Sequence, residues 1–172
     1  MAMSKISQFV NGWAGEIVRV NGEIEKLTVL MRSMSRASDP IKDSAENVRY
    51  LRDMARETPF SLIALSEGFV RLKATGIDPM NGSMQAFADA VAGVGGSDVK
   101  LERVTLAISQ MAGKGVIQME ELRQQLGEAL PRATELMARS MGVSYAQLVK
   151  EVSTGRVMAG PAIEALRLEL ER

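Results

Sequence analysis

Apolar residues recur at three- and four-residue steps along almost the whole chain. Gly, Pro or a capping residue breaks that rhythm about every fifteen to twenty residues. A three-to-four step puts apolar side chains on one stripe of an α-helix, whereas a strand would need strict alternation, which is nearly absent. The pattern therefore predicts an all-α fold of seven to nine short helices. Pro and Gly at this density forbid one long unbroken helix.

Ile17, Val20, Ile24, Leu27, Leu30, Met31 and Met34 form the first stripe, on a helix expected to start at Glu16, with Asn21-Gly22 interrupting it. Ser38 or Asp39 then reads as a cap, followed by Pro40 at the first helical position. A second stripe follows in Ile41, Ala45, Val48, Leu51 and Ala55. Thr58-Pro59 repeats the signal ahead of Phe60, Leu62, Ile63, Leu65, Phe69, Val70 and Leu72. Asp78-Pro79 opens another helix, and Ser97 caps the next, through Val99, Leu101, Val104, Leu106, Ile108 and Met111. These three helices hold three of the four Phe, which places the main core here.

Three parts are expected: 1–15 as a loosely ordered N-terminal segment holding the only Trp, 16–57 as a helical pair, and 58–172 as a compact helical domain. Residues 1–57 carry nine basic and eight acidic side chains, which reads as solvated helix faces. The last third repeats itself. Helix, Gly turn, short extended piece and helix occur around Gly115-Val116-Ile117-Gln118 and again around Gly155-Arg156-Val157-Met158. The two extended pieces could pair as a two-residue antiparallel bridge.

The chemical inventory is narrow. The 172 residues contain no Cys and no His, which excludes disulfides, thiolate chemistry, Cys/His zinc sites and any triad built on a His base. Lys plus Arg balances Asp plus Glu at 21 each, so a general polyanion binder is not expected. No segment is apolar and long enough to span a bilayer, and the first residues show no secretory signal. Glu120-Glu121 sits where a helix opens, and adjacent helical positions diverge by about 100°, so the pair reads as first-turn charge rather than an acid/base couple. Gly93-Val94-Gly95-Gly96 follows a helix rather than a strand and lacks the Lys-Ser/Thr of a phosphate loop. No residue is assigned a catalytic, cofactor-binding or metal-binding role.

Leu136-Met137-Ala138-Arg139-Ser140-Met141-Gly142-Val143-Ser144-Tyr145-Ala146-Gln147-Leu148 resembles a DNA-binding helix-turn-helix. Its second helix offers Tyr145, Gln147, Lys150 and Glu151, a neutral set for reading DNA. Any tight helical hairpin selects the same Ala, Gly and Ser. A helix-turn-helix regulator is the alternative reading of the chain. Twelve Met, flexible and polarisable, fill irregular contacts. Leu27, Leu30, Met31 and Met34 on the N-terminal stripe are the candidate partner-binding residues, and their stripe needs burial, by self-association or a partner.

A wider set of motifs carries a resemblance. From about Asp53 to Leu170 these are Ala55-Arg56-Glu57-Thr58-Pro59-Phe60-Ser61-Leu62, Phe69-Val70-Arg71-Leu72-Lys73-Ala74, Gly76-Ile77-Asp78-Pro79 and Gln110-Met111-Ala112-Gly113-Lys114-Gly115. Glu120-Glu121-Leu122-Arg123-Gln124-Gln125-Leu126-Gly127-Glu128, Leu130-Pro131 and Met141-Gly142-Val143-Ser144 continue the series. In this order they resemble the N-terminal domain of phage tail tape measure proteins. The resemblance implies a non-enzymatic structural module of a phage or prophage tail, acting in tail-length determination and tube assembly. It implies no cofactor, a place in the tube lumen of the virion tail, and the host cytoplasm during assembly. The implied partners are the tail tube protein, tail assembly chaperones and other tail-tip proteins.

Length adds an independent point. Drawn out as one helix at about 1.5 Å per residue, the chain would reach ~260 Å. The expectation is a folded head preceding a longer helical ruler, on a natural chain that continues past Arg172.

Overall fold

The computed structural model describes residues 22–172, and the described residues are all-α. Helix α1 spans 22–34. Then come α2 (Pro40–Glu57), α3 (Leu62–Ala74), a π-type turn (Pro79–Ser83) and α4 (Met84–Gly93). The series continues with α5 (Asp98–Lys114), a π-helical segment (Glu120–Leu126), the single turn α6 (Gly127–Ala129), α7 (Ala133–Ser140), α8 (Tyr145–Ser153) and α9 (Ala159–Leu170). The chain divides into two compact units, Met1–Tyr50 and Leu51–Arg172. The expected segment 1–15, its Trp13 and a helix start at Glu16 lie outside the described residues.

In the first unit, α1 buries Leu27 and Met31, one turn apart. Helix α2 starts at Pro40, as the sequence predicts, because the Asp39 carboxylate accepts from the N–H groups of Ile41 and Lys42 at 3.1 and 3.0 Å. The buried face of α2 differs from the expected stripe. Ser44, Asn47, Val48, Leu51 and Met54 are buried, whereas Ile41 is 60% exposed and Ala45 is exposed. The two polar residues can be buried because each bonds within its own helix: Ser44 Oγ donates to the Ile41 carbonyl at 2.9 Å, and Asn47 Nδ2 to Asp43 Oδ2 at 3.4 Å.

The second unit is built around α5. Helix α3 begins three residues later than Thr58-Pro59 suggests, since Ser61 is the residue that caps it, accepting from the Ala64 N–H at 3.1 Å. Thr58 instead closes α2, its N–H donating to the Met54 carbonyl at 2.9 Å. Pro59 and Phe60 link the two helices, with Phe60 buried. Helices α3 and α5 run parallel: Ser61 meets Asp98, Gly68 meets Thr105 and Gly113 meets Thr75, a constant offset of 37 or 38 residues. Helix α4 carries the chain back between them. Gly68 allows the close approach, because a Cβ there would lie 3.0 Å from Thr105 Cγ2 and 3.1 Å from Met84 Cε. Around this pair Leu65, Phe69, Leu72, Met84, Phe87, Leu101, Ile108 and Met111 are fully buried. Each such side chain contributes about 1.5–3 kcal/mol of burial.

The C-terminal third docks onto this core through α9, which also packs against α7. The expected bridge forms: Val116 pairs antiparallel with Met158, the Ile117 N–H donating to the Val157 carbonyl at 2.8 Å and the Ala159 N–H to the Gly115 carbonyl at 3.0 Å.

Candidate functional site

Three kinds of local arrangement could carry function in this chain: buried charge networks, the α7–α8 hairpin and exposed apolar surface. The charge networks come from helix register. Glu169 on α9 is buried and accepts from Arg139 on α7 and from Arg172, at 2.9 Å from the latter. Two positions earlier, Arg167 is also buried, its guanidinium shared between Glu164 and Glu171 at 2.5 Å each, one turn before and after it. Bidentate donation from Arg167 is the main reason the Glu164 carboxyl sits below its ordinary value; desolvation opposes it and the Arg167 charge adds to it. The same bonds raise the Arg167 guanidinium, against desolvation. Buried Glu121 is paired with Lys114, which also donates to Gln118 at 2.7 Å. The Glu120-Glu121 pair is thus split: Glu121 fastens the 120–126 segment to the end of α5, while Glu120 faces solvent.

Each of these buried charges is paired with an opposite charge within the chain, which is what structural ion pairs require, and Glu121 Oε2 alone among their oxygens is buried without a hydrogen-bond partner. Among the described residues no group of three or more His, Cys, Asp or Glu could hold a metal ion, and no helix is long and apolar enough to cross a membrane.

The α7–α8 hairpin forms as its sequence suggests. Gly142 takes φ +69 in the turn, where a Cβ would be strained, and Ser144 caps α8 by accepting from the Gln147 N–H at 3.2 Å. The buried face of α8 is Leu148 and Val152. Its exposed face has one cation, Lys150, and Gln147 is bonded to Glu151 at 3.0 Å. Arg139 is held on Glu169. A phosphate-binding surface needs several free cations, and this hairpin presents one.

The four candidate partner residues fall on different sides of α1. Leu27 and Met31 are buried, at 9% and 0% exposure, Met34 is half-buried, and Leu30 is 43% exposed. Val29, which lies off the three-to-four stripe and was missed in the sequence, is 64% exposed. In the second unit an open groove runs between the α2–α3 link and the start of α5, lined by Ala55, Pro59, Phe60 and Val99 with Ser61 and Asp98 at its edge. Asp98 Oδ1 accepts there from the Ser61 N–H at 3.0 Å, so its carboxylate serves the α3 cap. This groove is not legible from residue order, because it depends on the parallel docking of α3 on α5.

A family model described as tape measure protein matches residues 15–171. A Mu-like prophage protein of Haemophilus influenzae, FluMu protein gp42, is 37% identical over 119 residues, covering 68% of this chain and 18% of that protein. A probable tape measure protein of Salmonella phage Felix O1 is 42% identical over 65 residues, covering 38% of this chain and 9% of that protein. The matched stretches therefore span less than a fifth of either relative. No solved structure matches the chain. The match along nearly its whole length shows that the chain belongs to the tape measure protein family, a family of structural phage tail components.

Proposed function

We propose that this chain is a folded assembly module of a phage tail tape measure protein. It acts in tail-length determination and tube assembly through protein–protein contacts, in the lumen of the tail tube. The observation that carries this reading is the family match over residues 15–171, on a helical scaffold whose buried charges, among the described residues, are spent on internal pairs. The partners proposed are the tail tube protein, tail assembly chaperones and other tail-tip proteins. Of the candidate residues Leu27, Leu30, Met31 and Met34, the partner surface proposed on α1 is the exposed side with Leu30, neighbouring Val29 and half-buried Met34, while Leu27 and Met31 are buried beneath it. Self-association through this stripe belongs to the same reading.

The folded state supports an assembly role over a ruler role for this stretch. As a straight helix, residues 51–172 would span ~180 Å at about 1.5 Å per residue. Here they fold back on themselves into at least seven helical pieces. The test is an in-frame deletion of residues 51–172 in the phage gene, read by electron microscopy of tails. A module that nucleates assembly predicts loss of complete tails. Intact tails shortened by roughly the straight-helix length would show that the stretch measures, and tails of normal number and length would remove it from assembly altogether.

A further inference from the structure

We propose that the outward strip of α5 is a self-association surface on which a second copy of this chain packs with its α5 parallel to the first. This surface lies in the second unit, separate from the α1 stripe, and does not depend on the reading above.

Helix α5 is held on two flanks. Asp98, Glu102 and Thr105 face α3, through the Ser61 cap and Arg71. Arg103 and Lys114 face the 120–128 stretch, through Glu128 and Glu121. At about 100° per residue these flanks leave a strip between them that contains Val99 and Leu106, seven residues apart on one line. Val99 is 58% exposed and Leu106 36% exposed. Ile63, at the matching height on parallel α3, is 47% exposed, and Val94 in the loop before α5 is 43% exposed. Val99 and Leu106 thus give α5 an exposed apolar line, with further exposed apolar side chains on α3 and in the loop before α5.

The charges beside the strip determine what fits it. Glu102 lies on one edge and Arg103 on the other, about 100° apart at nearly the same height. Both are weakly used inside the chain: Arg71 reaches Glu102 at 3.7 Å and Arg103 reaches Glu128 at 3.9 Å, with the acidic and basic side chains of the strip 51% and 58% exposed. When two copies pack about a two-fold axis parallel to α5, opposite edges meet. Glu102 of each copy then faces Arg103 of the other, while Val99 meets Val99 and Leu106 meets Leu106. An antiparallel pair centred on the same point brings like edges together, Glu102 to Glu102 and Arg103 to Arg103. The parallel arrangement is therefore the self-complementary one.

The test is charge reversal with mixing, read by sedimentation velocity on the purified chain, with circular dichroism confirming that each variant is folded. The wild type is expected to sediment above its 18.7 kDa monomer mass as concentration rises. Glu102→Arg places two cations on the strip and Arg103→Glu places two anions, so each variant alone is expected to associate clearly less than the wild type. An equimolar mixture is expected to regain association, because each carries what the other lacks. Leu106→Gln is expected to weaken association in both the wild type and the mixture. A wild type that stays monomeric overturns the proposal. So does a mixture that associates no more than its two components alone, and so do single variants that associate like the wild type, which would place the contact on another face.

Discussion

Gly68→Ala tests whether one missing side chain sets the distance between α3 and α5. Two effects oppose each other. Ala in a helix interior is favoured over Gly by about 1 kcal/mol. Against that, the new methyl would lie 3.0 Å from Thr105 Cγ2 and 3.1 Å from Met84 Cε, tighter than ordinary contact, in a fully buried seam. Thr105 cannot turn away freely, because its Oγ1 donates to the Leu101 carbonyl at 3.0 Å and accepts from Arg71 at 3.2 Å. Overpacking of this kind costs about 1–3 kcal/mol, so the net loss expected is about 1 kcal/mol. Thr105→Ser removes Cγ2 and keeps the hydroxyl; alone it should cost about 0.8 kcal/mol for the lost methyl. Combined, the Ala methyl fills the space that Cγ2 vacates, and the helix gain remains. The double variant should then be within about 0.5 kcal/mol of wild type, a coupling of about 1–2 kcal/mol. Urea unfolding followed by circular dichroism gives all four free energies. Coupling within about 0.3 kcal/mol of zero would mean that Gly68 does not set the approach, and the parallel packing argument would fail with it.

Other predictions follow from the same contacts. Arg139→Leu should destabilise the protein by about 1–3 kcal/mol, since buried Glu169 keeps only the exposed Arg172, and adding Glu169→Met should recover most of the loss in thermal unfolding. Glu164 titrates below its ordinary value of about 4.5 in the folded state, so its contribution is present above that pH and lost as pH falls through the lower folded value. Acid titration should show Glu164→Gln less stable than wild type at neutral pH and the two converging as pH falls through the lowered folded value; curves that stay parallel would contradict the pairing. Gly142→Ala should cost about 1–2 kcal/mol through φ +69 alone, because open space surrounds its Cβ, and Gly142→Asn should cost less. Equal losses for the two would point to a steric cause instead.

The fold class was legible because helix stops are local chemistry: Asp39-Pro40, Asp78-Pro79 and Gly142-Ser144 each act within a few residues. The 116–158 bridge was legible for a different reason, the repetition of one pattern forty residues apart. Burial was harder to read. Ser44 and Asn47 look like surface residues, but their bonds are satisfied within α2, while Ile41 looks like core and is exposed. The start of α3 was misplaced because Thr58 and Ser61 are both capable caps, and only the Asp98 contact to Ser61, 37 residues away, favours the second. The outward strip of α5 was hidden for the same reason. Val99 and Leu106 read as core residues of a strongly periodic helix, and only the docking of its neighbours shows that their side remains open.

The Val116–Met158 pairing also bears on how the chain folds. Each helix of the C-terminal third can form from contacts a few residues apart, but this bridge ties together strands of chain separated by more than forty residues. Closing so large a loop costs entropy before its two backbone bonds return anything, which places the bridge late in the order of events. The amides of Ile117 and Ala159 sit beside turns, where exchange with solvent is usually fast, yet each is bonded across the bridge. Their hydrogen exchange therefore reports a distant event: the moment at which α9 releases from the rest of its unit.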